Sequence, residues 1–172
     1  MSPSRTGRLL GALTVLVLVL SGCSSSADPA PGKREEAARL PDVTFTSLTG
    51  GKPVDLSTLR GPMVINLWAS WCGPCKKELP KYQAFAEKYA GKVDVVGIDF
   101  QETRVKAARK LARDKGVDYP LYADPDGQMR ARFMPKVILL AKDGTIAHEM
   151  YVEIKSVPQL EKLVRTHLGV TG

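Results

Sequence analysis

Met63-Val64-Ile65-Asn66-Leu67-Trp68-Ala69-Ser70-Trp71-Cys72-Gly73-Pro74-Cys75-Lys76-Lys77-Glu78-Leu79 is the stretch that decides the fold. Its first six residues are apolar enough to form a buried strand, and the composition from Lys76 to Ala86 is helical. Cys72 therefore falls just before a first helical turn, where free backbone N–H groups and the helix dipole favour negative charge. That position lowers a thiol's pKa and raises its thiolate fraction, and the thiolate is the species that attacks disulfides. Cys75, one turn further in, is placed to resolve a mixed disulfide by intramolecular attack. Pro74 suits the first turn because it has no N–H and its φ is already helical.

Other uses of such a cysteine pair fit less well. Zinc needs about four ligands, and Cys23 is the only other cysteine, with His148 and His167 standing alone in the sequence. Covalent haem attachment needs His directly after the second cysteine, where this chain has Lys76. A purely structural disulfide over so short a loop would constrain little of the unfolded chain. No metal and no cofactor is expected.

The N-terminus reads as a targeting segment, residues 1–22. Arg5 and Arg8 precede an apolar run from Leu9 to Leu20, too short to span a bilayer comfortably. The run ends in Leu20-Ser21-Gly22-Cys23, which resembles the lipobox of bacterial lipoproteins. That resemblance implies cleavage before Cys23 and a diacylglyceryl group on its thiol, a two-chain membrane anchor. Lipidation of Cys23 leaves one cysteine pair and nothing spare. The alternatives are an uncleaved anchor and an ordinary secretory signal. Residues 23–40 are small, polar and rich in Pro and Gly at first, then charged, and read as a flexible tether.

Residues 41–172 suffice for one domain with one core. The formal charge of the whole chain is +7. Its basic residues form no stripe interleaved with aromatics, so nucleic-acid binding has no support, and only an unspecific attraction to anionic headgroups follows.

Val43 to Leu48 and Pro53 to Leu56 suggest an N-terminal hairpin around Gly50-Gly51. Met63 to Trp68 is a strand, followed by a helix from Pro74 to about Tyr89 that Pro80 should kink. Val93 to Phe100 is a second buried strand, and Val105 to Lys115 a helix closed by Gly116. Asp118 to Tyr122 is extended, and Asp124 to Gly127 a turn with room for a short helix behind it. Lys136 to Ala141 and Ile146 to Val152 form a hairpin, and a last amphipathic helix runs to Leu168. The order β-α-β-α-β-β-α, with the cysteine pair at the first strand-to-helix junction, is that of an α/β thioredoxin-like fold: a central mixed sheet flanked by helices, with an N-terminal hairpin extension.

Within that fold the chain resembles the TlpA/ResA-type thiol-disulfide oxidoreductases, a membrane-tethered branch of the thioredoxin superfamily. The resemblance covers about Pro41 to Leu168 and rests on the Gly-x-x-Val-x-Leu-x-x-Leu-Arg-Gly pattern at Gly51 to Gly61, on Val64 to Pro80, and on Tyr119-Pro120 with Asp124. It implies that Cys72 is the nucleophile and Cys75 the resolving thiol. It also implies that Glu102 is an acidic residue near the dithiol, where a carboxyl could accept or return the Cys75 proton. The plain alternative for Glu102 is a surface residue at a helix start. Glu78 also matches a family position, and its expected state is a solvated helix charge. Trp71, Gly73 and Pro74 border the attacking sulfur, and Met134-Pro135 matches the family's cis-proline, placing these five residues at the substrate. The segment before Pro135 is shorter than the family pattern, and Lys136 stands where Thr is expected.

The resemblance implies reduction of disulfides in exported proteins on the outer face of the cytoplasmic membrane, with apocytochrome c as one substrate class. Electrons would come from a membrane thiol carrier of the CcdA/DsbD type. The same chemistry in reverse is a disulfide-forming oxidase, separated from the reducing end by ~150 mV or roughly 7 kcal/mol. A thiol peroxidase would place Thr where Ala69 stands. A tethered copper- or peptide-binding module is the non-enzymatic alternative, and no ligand near His148 supports copper.

Overall fold

The computed structural model describes residues 37–172. The leader, the lipidation expected at Cys23 and most of the tether lie outside the described residues.

A seven-stranded sheet runs in the order β2-β1-β5-β4-β3-β6-β7. Its members are β1 (Thr44–Ser47), β2 (Val54–Asp55), β3 (Met63–Trp68), β4 (Asp94–Phe100), β5 (Leu121–Asp124), β6 (Lys136–Leu140) and β7 (Ile146–Met150). The helices are α1 (Gly73–Lys88), α2 (Val105–Asp114) and α3 (Val157–Leu168). Strands β3, β4 and β5 pair in parallel, as helical crossovers require, while β6 and β7 return antiparallel and β1 closes the other side against β5. Strands β3 and β6 are buried along their whole length, which is why both read as apolar runs broken only by Asn66 and Lys136.

Side chains alternate across β3 and β4 and divide the core into two clusters. Val64, Trp68 and Val95 face Leu79, Tyr82 and Phe85 of α1, Ala108 and Ala112 of α2, and Leu160 and Val164 of α3. Met63, Ile65, Leu67, Val96, Ile98 and Phe100 face the other way, against Leu40, Phe45, Leu56 and Met129. Gly97 of β4 is forced by a close approach. A Cβ there would come within 2.5 Å of Leu121 and 3.1 Å of both Trp68 Nε1 and the Tyr119 ring. Helix α1 continues through Pro80 without a break.

Two boundaries differ from the sequence reading. Residues 38–40, expected within the tether, belong to the fold. Ile146 N–H donates to the Ala38 carbonyl at 2.7 Å, Arg39 bridges to Thr145, and Leu40 is a buried core residue. Apolar burial captured a residue that the charged composition around it had hidden. No helix lies between Asp124 and Pro135; the segment is made of turns. The Asp124 carboxylate accepts the N–H groups of Gln128 at 2.8 Å and Met129 at 2.9 Å, holding the turn without helical bonds.

Candidate active site

Cys72 and Cys75 form a disulfide, their Cα atoms 5.3 Å apart. Cys72 is the N-cap of α1, with extended φ and ψ, and its Sγ accepts the Cys75 N–H at 3.3 Å. The Cys75 N–H at the head of α1 thus meets the Cys72 sulfur, where the positive helix end favours negative charge. Cys72 retains slight exposure whereas Cys75 has none. An incoming disulfide reaches the outer sulfur first.

The carboxyl groups around this junction are distributed differently from the sequence reading. Glu78 is not a solvated helix charge: it is fully buried, one helical turn beyond Cys75. Its Oε2 accepts the Ile154 N–H at 2.9 Å, and Oε1 has no hydrogen-bond partner among the described residues. Burial pushes its pKa up to about 8, which Glu153 reinforces and the Ile154 hydrogen bond and Lys81 only partly oppose. Positions three apart on a helix hold their Cβ atoms about 5–6 Å from each other, so Glu78 and Cys75 share one face of α1. The signal was present in the spacing. Residue 78 follows Cys75 by three and precedes Tyr82 by four, which puts it on the core stripe of α1.

Glu102 sits instead under the loop that precedes Cys72. Its carboxylate accepts the Ser70 N–H at 2.8 Å and the Arg104 N–H at 2.7 Å. Burial raises its pKa, but hydrogen bonds from Ser70 and Arg104 outweigh that and hold it below the ordinary carboxylate value. A carboxylate held charged by two donors is a poor proton carrier. Asp99, beside Trp68 in the β3–β4 register, is buried with neither oxygen hydrogen-bonded among the described residues. Burial, then the charge on Glu102, lifts its pKa to about 7. Sequence reading missed it, although strands buried on both faces offer a polar residue no solvated side.

A cleft of about 420 Å³ opens beside the disulfide, its lining including Trp71, Cys72, Gly73 and Pro74 from the head of α1 and Phe133 and Met134 from the segment before β6. Trp71 is exposed on its rim, its Nε1 donating to the Gln101 carbonyl at 3.4 Å. The Met134–Pro135 bond is cis, and Pro135 is buried behind Met134 at the start of β6. Four of the five residues expected at the substrate therefore line one cleft, and the fifth backs it. His148 and His167, far apart in sequence, stack with ring centroids 3.8 Å apart. Among the described residues no three His, Cys, Asp or Glu side chains are grouped to hold a metal ion.

A cysteine-capped helix on a mixed sheet, with a proline-backed cleft over the sulfurs, defines a thioredoxin-fold thiol-disulfide oxidoreductase. The chain belongs to the Redoxin family, whose model matches residues 35–164. It is similar to the thiol-disulfide oxidoreductase ResA of Bacillus thuringiensis subsp. konkukian, 29% identical over 139 residues, which span 77% of this chain and 79% of that one. Among solved structures it is similar to a DsbF homologue from Corynebacterium diphtheriae, with a TM-score of 0.65 and 26% identity over 81% of this chain and 97% of that one. A secreted thiol-disulfide isomerase from Corynebacterium glutamicum matches with a TM-score of 0.61 and 26% identity, over 76% of this chain and 83% of that one.

Proposed function

We propose that this oxidoreductase works outside the cytoplasmic membrane, held there by a lipid on Cys23, and reduces disulfides in exported proteins. The observation that carries the direction of attack is the placement of Cys72 as N-cap of α1 beside an open cleft, with Cys75 buried behind it. The Cys72 thiolate attacks one sulfur of a substrate disulfide, and the other substrate sulfur leaves as a thiolate that takes up a proton. Cys75 then loses its proton and attacks Cys72. The second substrate thiol is released, and the chain's own disulfide carries the two electrons' worth of oxidation. Glu78 is the acid–base partner of the Cys75 step. Its pKa of about 8 lies close to the ~8.5 of an ordinary thiol, so proton exchange between them is nearly balanced.

The apolar leader and the lipobox-like Leu20-Ser21-Gly22-Cys23 support the location, as does similarity to an enzyme described as secreted. Apocytochrome c is the substrate class, and a membrane thiol carrier of the CcdA/DsbD type the electron source, that the ResA resemblance favours. Equilibrating the Cys72–Cys75 couple against glutathione tests the direction. A thioredoxin-like potential near −270 mV is expected, and one near −120 mV would make the chain a disulfide-forming oxidase instead.

A further inference from the structure

We propose that Trp71 and Phe133 are the two jaws of an aromatic clamp that selects, for attack by Cys72, cysteines flanked by a large apolar residue and then an acidic one. The proposal rests on Cys72 and Cys75 being the reacting dithiol and names the substrate segment they take. Large apolar side chains exposed among the described residues are Trp71, Val105, Phe133 and Tyr151, and all but Val105 stand at or beside the cleft over the disulfide. Phe133 is 70% exposed, which water alone does not favour.

The ring is nevertheless held in place. Phe133 meets Tyr151 edge to face, with centroids 5.8 Å apart. The Tyr151 hydroxyl accepts the Arg132 N–H at 3.3 Å, and Lys136 Nζ lies 5.5 Å from the centre of the Tyr151 ring. Lys136 is itself fixed by Glu149 at 2.9 Å. A pre-positioned aromatic costs less ordering on binding than a free one. The cleft lining also includes Pro74, Phe100, Ala131 and Met134, an apolar surface for an apolar side chain held between the jaws. Arg132 is the single charged residue of the lining. An extended peptide with a carboxylate just beyond its apolar residue complements that charge, whereas a basic segment meets repulsion.

The reduced full domain, mixed with small symmetrical peptide disulfides in single-turnover reactions, tests this. One peptide carries phenylalanine beside its cysteine and aspartate beyond it; controls replace these by alanine or by lysine; hydroxyethyl disulfide is the minimal substrate. The wild-type second-order rate constant should be about tenfold higher for the phenylalanine peptide than for the alanine peptide, as an added aromatic contact provides. Phe133→Ala should collapse that ratio towards one. As an independent arm, Arg132→Glu should reverse the preference for aspartate over lysine at low salt and lose the effect at high salt. Ratios unchanged by both substitutions overturn the clamp, while failure of the wild type to reduce hydroxyethyl disulfide overturns the reductase reading beneath it. Concentration-dependent dimerisation that Phe133→Ala abolishes would give the face to a second copy of the chain, and also overturns the proposal.

Discussion

The two faces of the sheet are cut from the same strands and hold opposite chemistry. Towards the helices, β3 presents Val64, Asn66 and Trp68, and β4 presents Val95, Gly97 and Asp99. Buried there with polar atoms that find no partner among the described residues are Glu78, Tyr82 and Asp99. Towards the other side the same strands present Met63, Ile65, Leu67, Val96, Ile98 and Phe100, a face without such groups. Each unpartnered buried polar group costs about 1–3 kcal/mol, a burden the apolar face does not carry. It is also the face on which α1 carries Cys75 and Glu78. The difference teaches that the polar groups nearest the dithiol gather on the helical face, while the other face is held by apolar packing.

Removing a sulfur has the largest effect on this comparison. Cys72→Ser should abolish disulfide reduction, whereas Cys75→Ser should accumulate a mixed disulfide through Cys72 that gel mobility and mass spectrometry resolve. Preferential alkylation of Cys75 in the reduced protein at neutral pH would contradict the assignment.

Next is Leu67→Ala on the apolar face. Leu67 is fully buried, and truncating such a residue costs about 2–5 kcal/mol. The loss should appear in chemical denaturation while the pH–rate profile keeps its shape. A displaced profile would show that the two faces are coupled and that their division of labour is wrong.

Much of this arrangement is legible in the chain. The six-residue run into Trp68 and the Gly-Pro between the cysteines set the strand, the cap and the helix by local physics alone. Hairpins and helix ends follow turn and cap residues within a residue or two. What escaped depends on three-dimensional burial. Glu78 looks solvated between Lys77 and Leu79 until the wheel of α1 is set against Ile154, which is distant in sequence. Leu40 looks like tether until the second face of the sheet needs covering. The Pro125–Pro135 segment has no periodicity, so no pattern could say that turns alone fill it.

The titrating groups give a third, smaller test. Glu78 and Asp99 carry folded-state pKa values of about 8 and about 7, against the ordinary ~4 of unfolded carboxyls. Between those limits the native state binds more protons than the unfolded chain, so stability falls as pH rises from about 4 to 8. Below that window their contribution is fully present. Glu102, shifted the other way, contributes stability above the unfolded pKa and loses it towards acid. Glu78→Gln keeps an acceptor for the Ile154 N–H and cannot ionise. It should flatten the decline between pH 5 and 8, a gain over wild type on the order of one to a few kcal/mol at the alkaline end. The same variant should displace the limb of the pH–rate profile that reports the Cys75 step. Glu102→Gln should leave that limb in place. Parallel profiles for Glu78→Gln and wild type would return Glu78 to a purely structural role.

Lys136 supplies the smallest effect and the finest comparison, because it is a buried ion on the side of the sheet opposite the carboxyls. Its ammonium pairs with Glu149 at 2.9 Å, and while the Lys136 side chain is 6% exposed that of Glu149 is 46% exposed. Desolvation therefore falls mostly on the lysine, and the attraction it gains in return is weakened by water around its partner. Replacing such a buried cation by an apolar side chain of similar length is nearly neutral, since cost and gain leave together. Lys136→Met should change stability by no more than about 1 kcal/mol in either direction. Glu149→Leu should cost more than Lys136→Met, because it leaves the ammonium buried without its counter-charge, and the double substitution should recover most of that loss. Chemical denaturation of the three variants measures the order directly. If Lys136→Met proves the more damaging single change, the pair is a net stabiliser, and the apolar face draws on electrostatics as the helical face does.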